Sequence, residues 1–272
     1  MKPNTLFRCF ALAVLSAAAL LSSSCMSTVD MAPAPPVMTD SNATSRAYAP
    51  SSSPLARAKI DDRPGLGTSA GSEQHSRLRH ARLIRKSNVP DVVDSFHYND
   101  EAGAKAMVAL LGGSTARHNG LFSAAGERLK VGLVHYGNPF PHYEAKDRRI
   151  VIGQSGLHYE VRLENRSKKR LEVVLSVDGL NVLTGKPASA GQNGFVLGPR
   201  QAYSVDGFRK DSHTVRTFQF GSVAASQAAK KGGANNVGVI GLAVFEEDEA
   251  RAKMELKREQ FVRDSATAFP GQ

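Results

Sequence analysis

The sequence predicts an all-β protein. We expect an antiparallel β-sandwich, with a barrel as the alternative, that carries a C-terminal helix and follows a disordered tether. Three observations lead to this prediction. Short segments with an apolar residue at every second position recur between residues 126 and 246, and turn dipeptides separate them. The stretch before residue 91 is instead rich in Pro, Ser and Ala, without a lasting apolar period.

The composition excludes several classes of protein. A chain of 272 residues has room for one or two domains. Its two cysteines are too few for a disulfide scaffold or a structural zinc ribbon. Only the N-terminal segment is apolar enough to enter a bilayer, which excludes a helical membrane bundle.

Residues 1–24 resemble a bacterial lipoprotein signal peptide. A basic start is followed by an apolar run from Phe10 to Leu21 and then by small residues. Cys25 would be the first residue and the only cysteine of the mature chain, and lipidation would remove a lone thiol from an oxidising compartment. Ser22 stands where lipoprotein signals usually have Leu, so ordinary secretion stays an alternative. The resemblance implies an anchor in the outer membrane, facing the periplasm or the outside.

Residues 25–90 are expected to form the disordered tether, which would be held to the membrane by its lipid. Seven of the 13 prolines fall within this stretch, and such a composition buries too little apolar surface to offset the entropy of ordering. Near its end, residues 76–86 carry five basic side chains without an acid. These candidates for contact with an anionic surface are Arg77, Arg79, Arg82, Arg85 and Lys86. The alternative is a solvated charge run that keeps the tether soluble.

The β domain is predicted over residues 126–246. Its candidate strands are 129–136, 148–153, 157–165, 171–177, 194–198, 201–206, 213–220 and 237–245. The strands at 157–165 and 171–177 are expected to form a hairpin around the polar segment between them. The nearly all-apolar strand 237–245 should lie at the centre of a sheet and be buried on both faces.

Two helical segments flank this domain. Residues 91–125 form a partly helical lead-in, with a helix at 100–111 that ends at two glycines. Residues 247–272 form a C-terminal helix and tail, in which acids precede bases as the helix dipole favours. The thin apolar face of this helix (Ala250, Met254 and Phe261) is expected to pack loosely against its own sheet, and contact with a partner is the alternative.

Two groups of residues are candidates for binding. The first is a loop held by two prolines that presents Tyr136, Phe140, His142 and Tyr143 to a sugar ring or a partner, unless these side chains cap one end of the sandwich. The second lies at the ends of predicted strands and consists of Asp178, Asn181, Phe208, Arg209 and Lys210. For Asp178 the simpler reading is a turn residue whose side chain bonds its own backbone.

The sequence contains no recognisable catalytic motif, and no motif indicates a cofactor or a metal. His135 and His142 lie seven positions apart but lack a third ligand at a suitable spacing. A hydrolase with an unfamiliar site would have to assemble it from Asp178, Asp206 and His213, which requires the fold to bring the carboxylates together.

The segments VLSVDGLNVLTGKPAS, NGFVLGPRQAYSVDGFRKDSHTVRTFQF and NNVGVIGLAVFEE resemble a group of bacterial envelope and secreted proteins. The resemblance covers about residues 157–247, and Phe208 stands where that group is expected to have Trp. It implies a shared β domain, and it transfers no activity, substrate or catalytic residue.

Together these features predict a lipid-anchored envelope protein whose β-sandwich has a binding or structural role and is not catalytic. The expected contacts are the membrane, through the lipid, and a protein or glycan of the envelope. Nucleic acid is not expected, because a secreted chain does not meet it. The alternatives are a lipoprotein that binds glycan or peptidoglycan and a hydrolase with an unrecognised site.

Overall fold

The computed structural model describes residues 63–77, 81–268 and 270. The predicted signal peptide, the predicted lipidation site Cys25 and Arg79 lie outside these residues. The strands are β1 (Leu66–His75), β2 (Val92–Asn99), β3 (Phe122–Ala124), β4 (Leu129–His135), β5 (Asn138–Pro139), β6 (His142–Ala145), β7 (Arg148–Ile152), β8 (His158–Asn165), β9 (Leu171–Val177), β10 (Leu180–Asn181), β11 (Phe195–Leu197), β12 (Ala202–Val205), β13 (Gly207–Arg209), β14 (Thr214–Ser222) and β15 (Val239–Glu246). The helices are α1 (Glu101–Leu111), α2 (Gln227–Lys230) and α3 (Glu249–Asp264), with a 3-10 turn at Ala234–Asn236.

The strands form two sheets, and the prediction of a β-sandwich is confirmed. The first sheet has the order β1-β14-β8-β4-β3, with β12 beside β8, β13 beside β14 and β5 beside β4. The second has the order β10-β9-β15-β2-β7-β6, with β11 beside β9. One cluster of buried apolar side chains draws on both sheets and forms the core between them. The pairing of β2 with β7 is parallel, whereas the other pairings of the described strands are antiparallel.

The apolar pattern of each strand explains its place in the sandwich. Strand β8 alternates between buried and half-buried residues, as expected for a strand with one face on the core. Strand β15 lies between β9 and β2, and its last five residues are all buried. The prediction that this segment is a central strand is therefore confirmed.

The predicted hairpin between residues 157–165 and 171–177 is wrong. Strand β8 belongs to the first sheet and β9 to the second, so the connection between them crosses the sandwich. The buried side chain of Asn165 holds this corner, because its amide Nδ2 donates to the carbonyl oxygens of Lys169 at 2.7 Å and Gly198 at 2.9 Å. A corner that is bonded to a third segment replaces the tight turn that a hairpin requires.

The folded domain begins about 60 residues before the predicted boundary at residue 126, and this corrects the extent of the tether. Strand β1 lies within the predicted tether and pairs with β14 from Leu66↔Ser222 to His75↔Thr214. Strand β2 lies within the predicted lead-in and pairs with β15. The sequence of β1, LGTSAGSEQH, lacks the alternating large apolar residues of a half-buried strand because it lies at the edge of its sheet and its second half is exposed. Any disordered tether therefore ends before Leu66.

The two predicted helices form, but only α1 packs on the sandwich. The side chain of Asp100 caps α1 by accepting from the backbone N–H of Gly103, and Ala104 and Val108 bury against β6 and β7. No residue of α3 is buried, and Met254 and Phe261 are 70% and 73% exposed. The expectation that α3 packs against its own sheet is therefore wrong. Its five basic and four acidic side chains leave too narrow an apolar stripe to cover a sheet. Within the described part of the chain, no helix has both the length and the apolar character needed to cross a bilayer.

Candidate functional site: a basic cleft

The turn that joins β9 to β10 places Asp178 in the core. Asp178 and Gly179 have φ values of 54° and 76°, the left-handed conformation of a two-residue hairpin turn. The side chain of Asp178 is 1% exposed and does not bond its own turn. Its Oδ2 accepts from the backbone N–H of Thr68 at 2.9 Å, and its Oδ1 accepts from Gly238 N at 2.9 Å and from the Tyr98 hydroxyl at 2.6 Å. The prediction that Asp178 is a turn residue is thus correct, whereas the prediction that its side chain bonds its own backbone is wrong.

Three buried hydroxyl groups extend this contact into a chain. Thr68 Oγ1 lies 2.7 Å from the Tyr98 hydroxyl oxygen and 2.6 Å from that of Tyr159. Each hydroxyl has one proton, and that of Tyr98 is directed at the carboxylate, so Thr68 donates to Tyr98 and Tyr159 donates to Thr68. Burial raises the pKa of Asp178, and burial together with the charge of Asp178 raises the pKa of both tyrosines. The cluster joins the two sheets inside the core, where it is closed to a ligand.

Asn181 shapes the loop that follows β10. Its side-chain Oδ1 accepts from the backbone N–H groups of Leu183 at 2.8 Å and Thr184 at 3.1 Å. The backbone N–H of Asn181 donates to Lys186 O at 2.9 Å. The side chain is 1% exposed, so its described contacts are within the protein. Asn181 therefore positions the loop at residues 181–186 without presenting its amide to solvent.

Strand β13 brings the remaining residues of the second predicted group against this loop. The backbone N–H of Arg209 donates to Val182 O at 2.8 Å. Strand β13 lies close against β14 because Gly207 has no side chain, and a Cβ there would be 2.1 Å from Arg216 O. The Phe208 ring packs edge-on against Phe218, with the ring centroids 5.1 Å apart. Residues separated by almost 30 positions in the sequence are thereby brought side by side.

The two segments and the region around α2 enclose an open cleft of about 270 Å³, which we call the basic cleft. It is lined by Leu180, Thr184, Gly185, Phe208, Arg209, Lys210, Arg216, Gln227 and Lys231. All four charged residues in this lining are cations. Leu180 and Phe208 supply apolar surface, and Thr184 and Gln227 supply a hydroxyl and an amide. The structure thus brings three of the five residues of the second predicted group into one cleft.

The cations of the basic cleft are only partly neutralised. Lys210 Nζ donates to both carboxylate oxygens of Glu73, at 2.8 and 2.9 Å, and Arg216 Nε lies 3.6 Å from the same carboxylate. The hydrogen bond from Lys210 lowers the pKa of Glu73. Arg209 and Lys231 direct their described side-chain hydrogen bonds to carbonyl oxygens, those of Ser76 and Gly185. The Nε of Arg209 is buried and has no hydrogen-bond partner. A carbonyl leaves the full cationic charge in place, so the cleft suits an anion.

The aromatic loop presents less surface than its sequence suggested. His142 and Tyr143 are 3% and 1% exposed, and Tyr143 belongs to the buried cluster beneath α1. Phe140 packs against the core and meets the Phe220 ring edge-on at 5.4 Å. Tyr136 alone among the four is fully exposed, at 82%. These positions match the alternative in which most of the loop caps the sandwich.

Within the basic run at residues 76–86, Arg85 and Lys86 form ion pairs with the sandwich and are not free charges. Arg85 forms a two-point contact with Glu172, at 2.8 and 2.9 Å, and its guanidinium lies 3.8 Å from the centroid of the Phe245 ring. Lys86 donates to Glu246, which also accepts from Lys169 and Arg128. Arg85 is consequently not available to an anionic surface, and the charge of Lys86 is offset by Glu246.

Arg77 and Arg82 are exposed, as is the ion-paired Lys86. Arg82 lies 3.2 Å from Glu255 of α3, and its side chain is 80% exposed. The described part of the run is not helical. The candidate surface is thus reduced to positions around Arg77 and Arg82.

The residues proposed for a hydrolase have different environments. Asp178 is closed inside the core, whereas His213 is exposed and its Nδ1 lies 2.8 Å from Ser212 Oγ. His135 Nδ1 contacts the carbonyl oxygen of His158 at 2.6 Å. Within residues 63–77 and 81–268, no three His, Cys, Asp or Glu side chains lie together as a metal site.

Sequence reasoning missed Arg216, Lys231, Gln227 and Thr184 as members of the cleft. Arg216 occupies an outward position of β14, and Lys231 follows the short helix α2. Neither position has a local signal that distinguishes it from an ordinary exposed cation, because the cleft exists only where three separate segments meet.

No protein-family model, no curated protein and no solved structure matches this chain.

Proposed function

We propose that this protein is a non-catalytic binding protein of the bacterial cell envelope, and that the basic cleft is its binding site. The observation that carries the proposal is the meeting of Arg209, Arg216 and Lys231 around an open cleft whose lining also contains apolar side chains. A concave site with apolar surface and a few converging polar groups is the usual form of a ligand site.

The side chains of the cleft favour binding over catalysis. An arginine stays charged at neutral pH, so it holds an anion without exchanging protons with it. No carboxylate, histidine or thiol is among the residues that line the described cleft. Two acidic groups beside the cleft already have partners: Glu73 accepts from Lys210, and Asp211 accepts from the backbone N–H of His213.

The proposed location depends on the N-terminal sequence. The basic start, the apolar run and Cys25 support export and lipid attachment, and we propose that the lipid holds the protein in the outer membrane. A tether that ends before Leu66 would leave up to about 40 residues between the lipid and β1. A flexible chain of that length spans roughly 35 Å. This reach would let the cleft meet envelope components beside the membrane.

Cosedimentation with isolated bacterial envelopes tests this function. The chain from residue 25 onward is used with Cys25→Ser, so that no lipid contributes to retention. The double variant Arg216→Gln/Lys231→Gln removes two cations from the cleft. Lys257→Gln/Arg258→Gln removes two exposed cations from α3 and is the matched control.

We expect the protein and the α3 control to be retained by envelopes and the cleft variant to lose at least ten-fold in apparent affinity. Circular dichroism and urea unfolding establish that both variants are folded. Equal retention of the two double variants, or no retention of the unsubstituted chain, would overturn the proposed function.

A further inference from the structure

The basic cleft has features that identify the class of its ligand. Its volume of about 270 Å³ lies just below the range of roughly 300–1,000 Å³ that is typical of small-molecule sites. A cleft of this size fits one compact chemical unit and not an extended segment of a polymer.

The distribution of charge favours an anion as this unit. Glu73 offsets Lys210 and lies near Arg216, whereas Arg209 and Lys231 have carbonyl oxygens as their described side-chain acceptors. The unused Nε of Arg209 is a buried donor without an acceptor. The Arg209 guanidinium and the Lys231 ammonium therefore keep their charges, which an oxyanion would offset.

The neutral part of the lining fits a ring that carries hydroxyl groups. Thr184 and Gln227 offer a hydroxyl and an amide, each able both to donate and to accept. Leu180 and Phe208 add apolar surface to the same lining. A sugar ring presents hydroxyl groups at its edge and C–H groups on its faces, so it can use both parts of this lining.

We propose that the basic cleft binds a single anionic sugar unit, a monosaccharide that bears a carboxylate or a phosphate. This inference rests on the proposed function, because it names the ligand class of the same site. The anionic group lies among Arg209, Arg216 and Lys231, and the ring lies over Leu180 and Phe208. Thr184 and Gln227 bind the hydroxyl groups.

The test is a titration of the chain from residue 25 onward, with Cys25→Ser, followed by NMR shifts of backbone amides. Four probes are used: glucuronate, glucose 6-phosphate, glucose and inorganic phosphate. We expect saturable shifts at Gly185, Arg209 and Lys210 with one or both of the anionic sugars, at least ten-fold weaker binding of glucose and of inorganic phosphate, and weakening as NaCl screens the charges. The preferred anionic sugar distinguishes a carboxylate from a phosphate.

Two variants connect these shifts to the cleft. Arg216→Gln/Lys231→Gln should weaken binding of the anionic sugar at least ten-fold, and Lys257→Gln/Arg258→Gln should leave it unchanged. Arg209→Lys keeps the charge but removes the planar guanidinium, which can hold two oxygens of one anion, and it should weaken binding several-fold while the fold is retained. Binding that is equal in the two double variants would overturn the inference.

The other outcomes separate this inference from the proposed function. If inorganic phosphate binds as tightly as glucose 6-phosphate, the sugar ring contributes nothing and the inference is wrong. If none of the four probes binds while envelopes still retain the protein through the cleft cations, the ligand class is wrong and the proposed function stands. If the anionic sugars bind but the cleft substitutions leave retention by envelopes unchanged, the inference stands and the proposed function fails.

Discussion

The backbone N–H of Thr68 donates to Asp178 Oδ2 at 2.9 Å, and this bond joins an edge strand of the first sheet to a hairpin turn of the second. The two residues are 110 positions apart. The same carboxylate holds the Tyr98 hydroxyl and Gly238 N, so three distant segments converge on one buried charge. Asp178 thereby stabilises the packing of the two sheets.

Replacing Asp178 with Asn should strongly destabilise the domain. The amide has one acceptor oxygen where the carboxylate has two, so at least one of three buried donors loses its partner. We expect the free energy of unfolding to fall by about 2–4 kcal/mol. Urea denaturation followed by circular dichroism measures this change.

The control for this variant is Asp147→Asn, which makes the same chemical change at an exposed turn residue. Its unfolding free energy should stay within about 0.5 kcal/mol of the unsubstituted chain. Equal stability of the two variants would mean that the Asp178 cluster does not hold the sheets together.

Glu246 should make the stability depend on acid pH. Hydrogen bonds from Lys169 and Lys86, with a further one from Arg128, lower its pKa from 4.5 to about 2. A carboxyl group whose pKa is lower in the folded state stabilises that state above its unfolded pKa. This contribution is lost as the pH falls from about 4.5 to about 2. The difference corresponds to about 3 kcal/mol.

The variant Glu246→Gln tests this dependence. It should unfold with about 2–3 kcal/mol less free energy at pH 7, and the difference from the unsubstituted chain should shrink as the pH approaches 2. Urea titrations at several pH values provide the measurement. Glu160→Gln, at a residue of β8 without a described ion pair, should leave the pH profile unchanged, and a constant gap for Glu246→Gln at every pH would refute the assignment.

Arg85 and Arg82 are close in sequence but should differ sharply in their contribution to stability. Arg85→Ala leaves the carboxylate of Glu172 buried without its partner, and we expect a loss of about 3–5 kcal/mol. Arg82→Ala removes an ion pair whose arginine is 80% exposed, and a change below about 0.5 kcal/mol is expected. Thermal and urea unfolding of both variants compare them directly. Similar losses would contradict the difference in burial.

Removal of α3 should hardly affect the domain. A chain that ends at Asp248 keeps the bond from Asp248 N to Ile84 O, and none of the helix residues that it lacks is buried. We expect its unfolding free energy to stay within about 1 kcal/mol of the full chain. A larger loss measured by urea denaturation would reveal packing of α3 that its exposure does not indicate.

The sequence was sufficient to predict strands that carry their own apolar period. Leu157 to Leu163 alternate with charged residues, and the continuous apolar run near Ile240 predicted a central strand. Strand β1 has no such pattern, because hydrogen bonds to β14 and the Thr68–Asp178 contact define it as a strand. The sequence likewise does not reveal that β9 pairs in the second sheet and not with β8. The corner at Asn165 that separates these strands depends on bonds to Lys169 and Gly198.

The candidate site was partly predictable for a similar reason. Phe208, Arg209 and Lys210 attract attention as a compact run after a turn dipeptide, and they line the cleft. Arg216 and Lys231 come from segments whose contact with that run is a property of the tertiary structure. The aromatic loop was mispredicted in the opposite sense: His142 and Tyr143 were expected to be presented to a ligand, but both are buried in β6, where His142 contacts Phe122 and Tyr143 lies beneath α1.

The pairing of Leu66 with Ser222 has a consequence for the order in which the molecule is made. Strand β1 is the first strand of the described domain to leave the ribosome, yet its partner β14 is the next-to-last. A nascent chain that stops short of residue 214 has nothing for β1 to pair with. The pairing of β1 with β14 must therefore follow the synthesis of almost the whole domain. Pairing between such distant segments slows folding. Until then, β1 remains an unpaired segment that is accessible to a chaperone or a translocation channel.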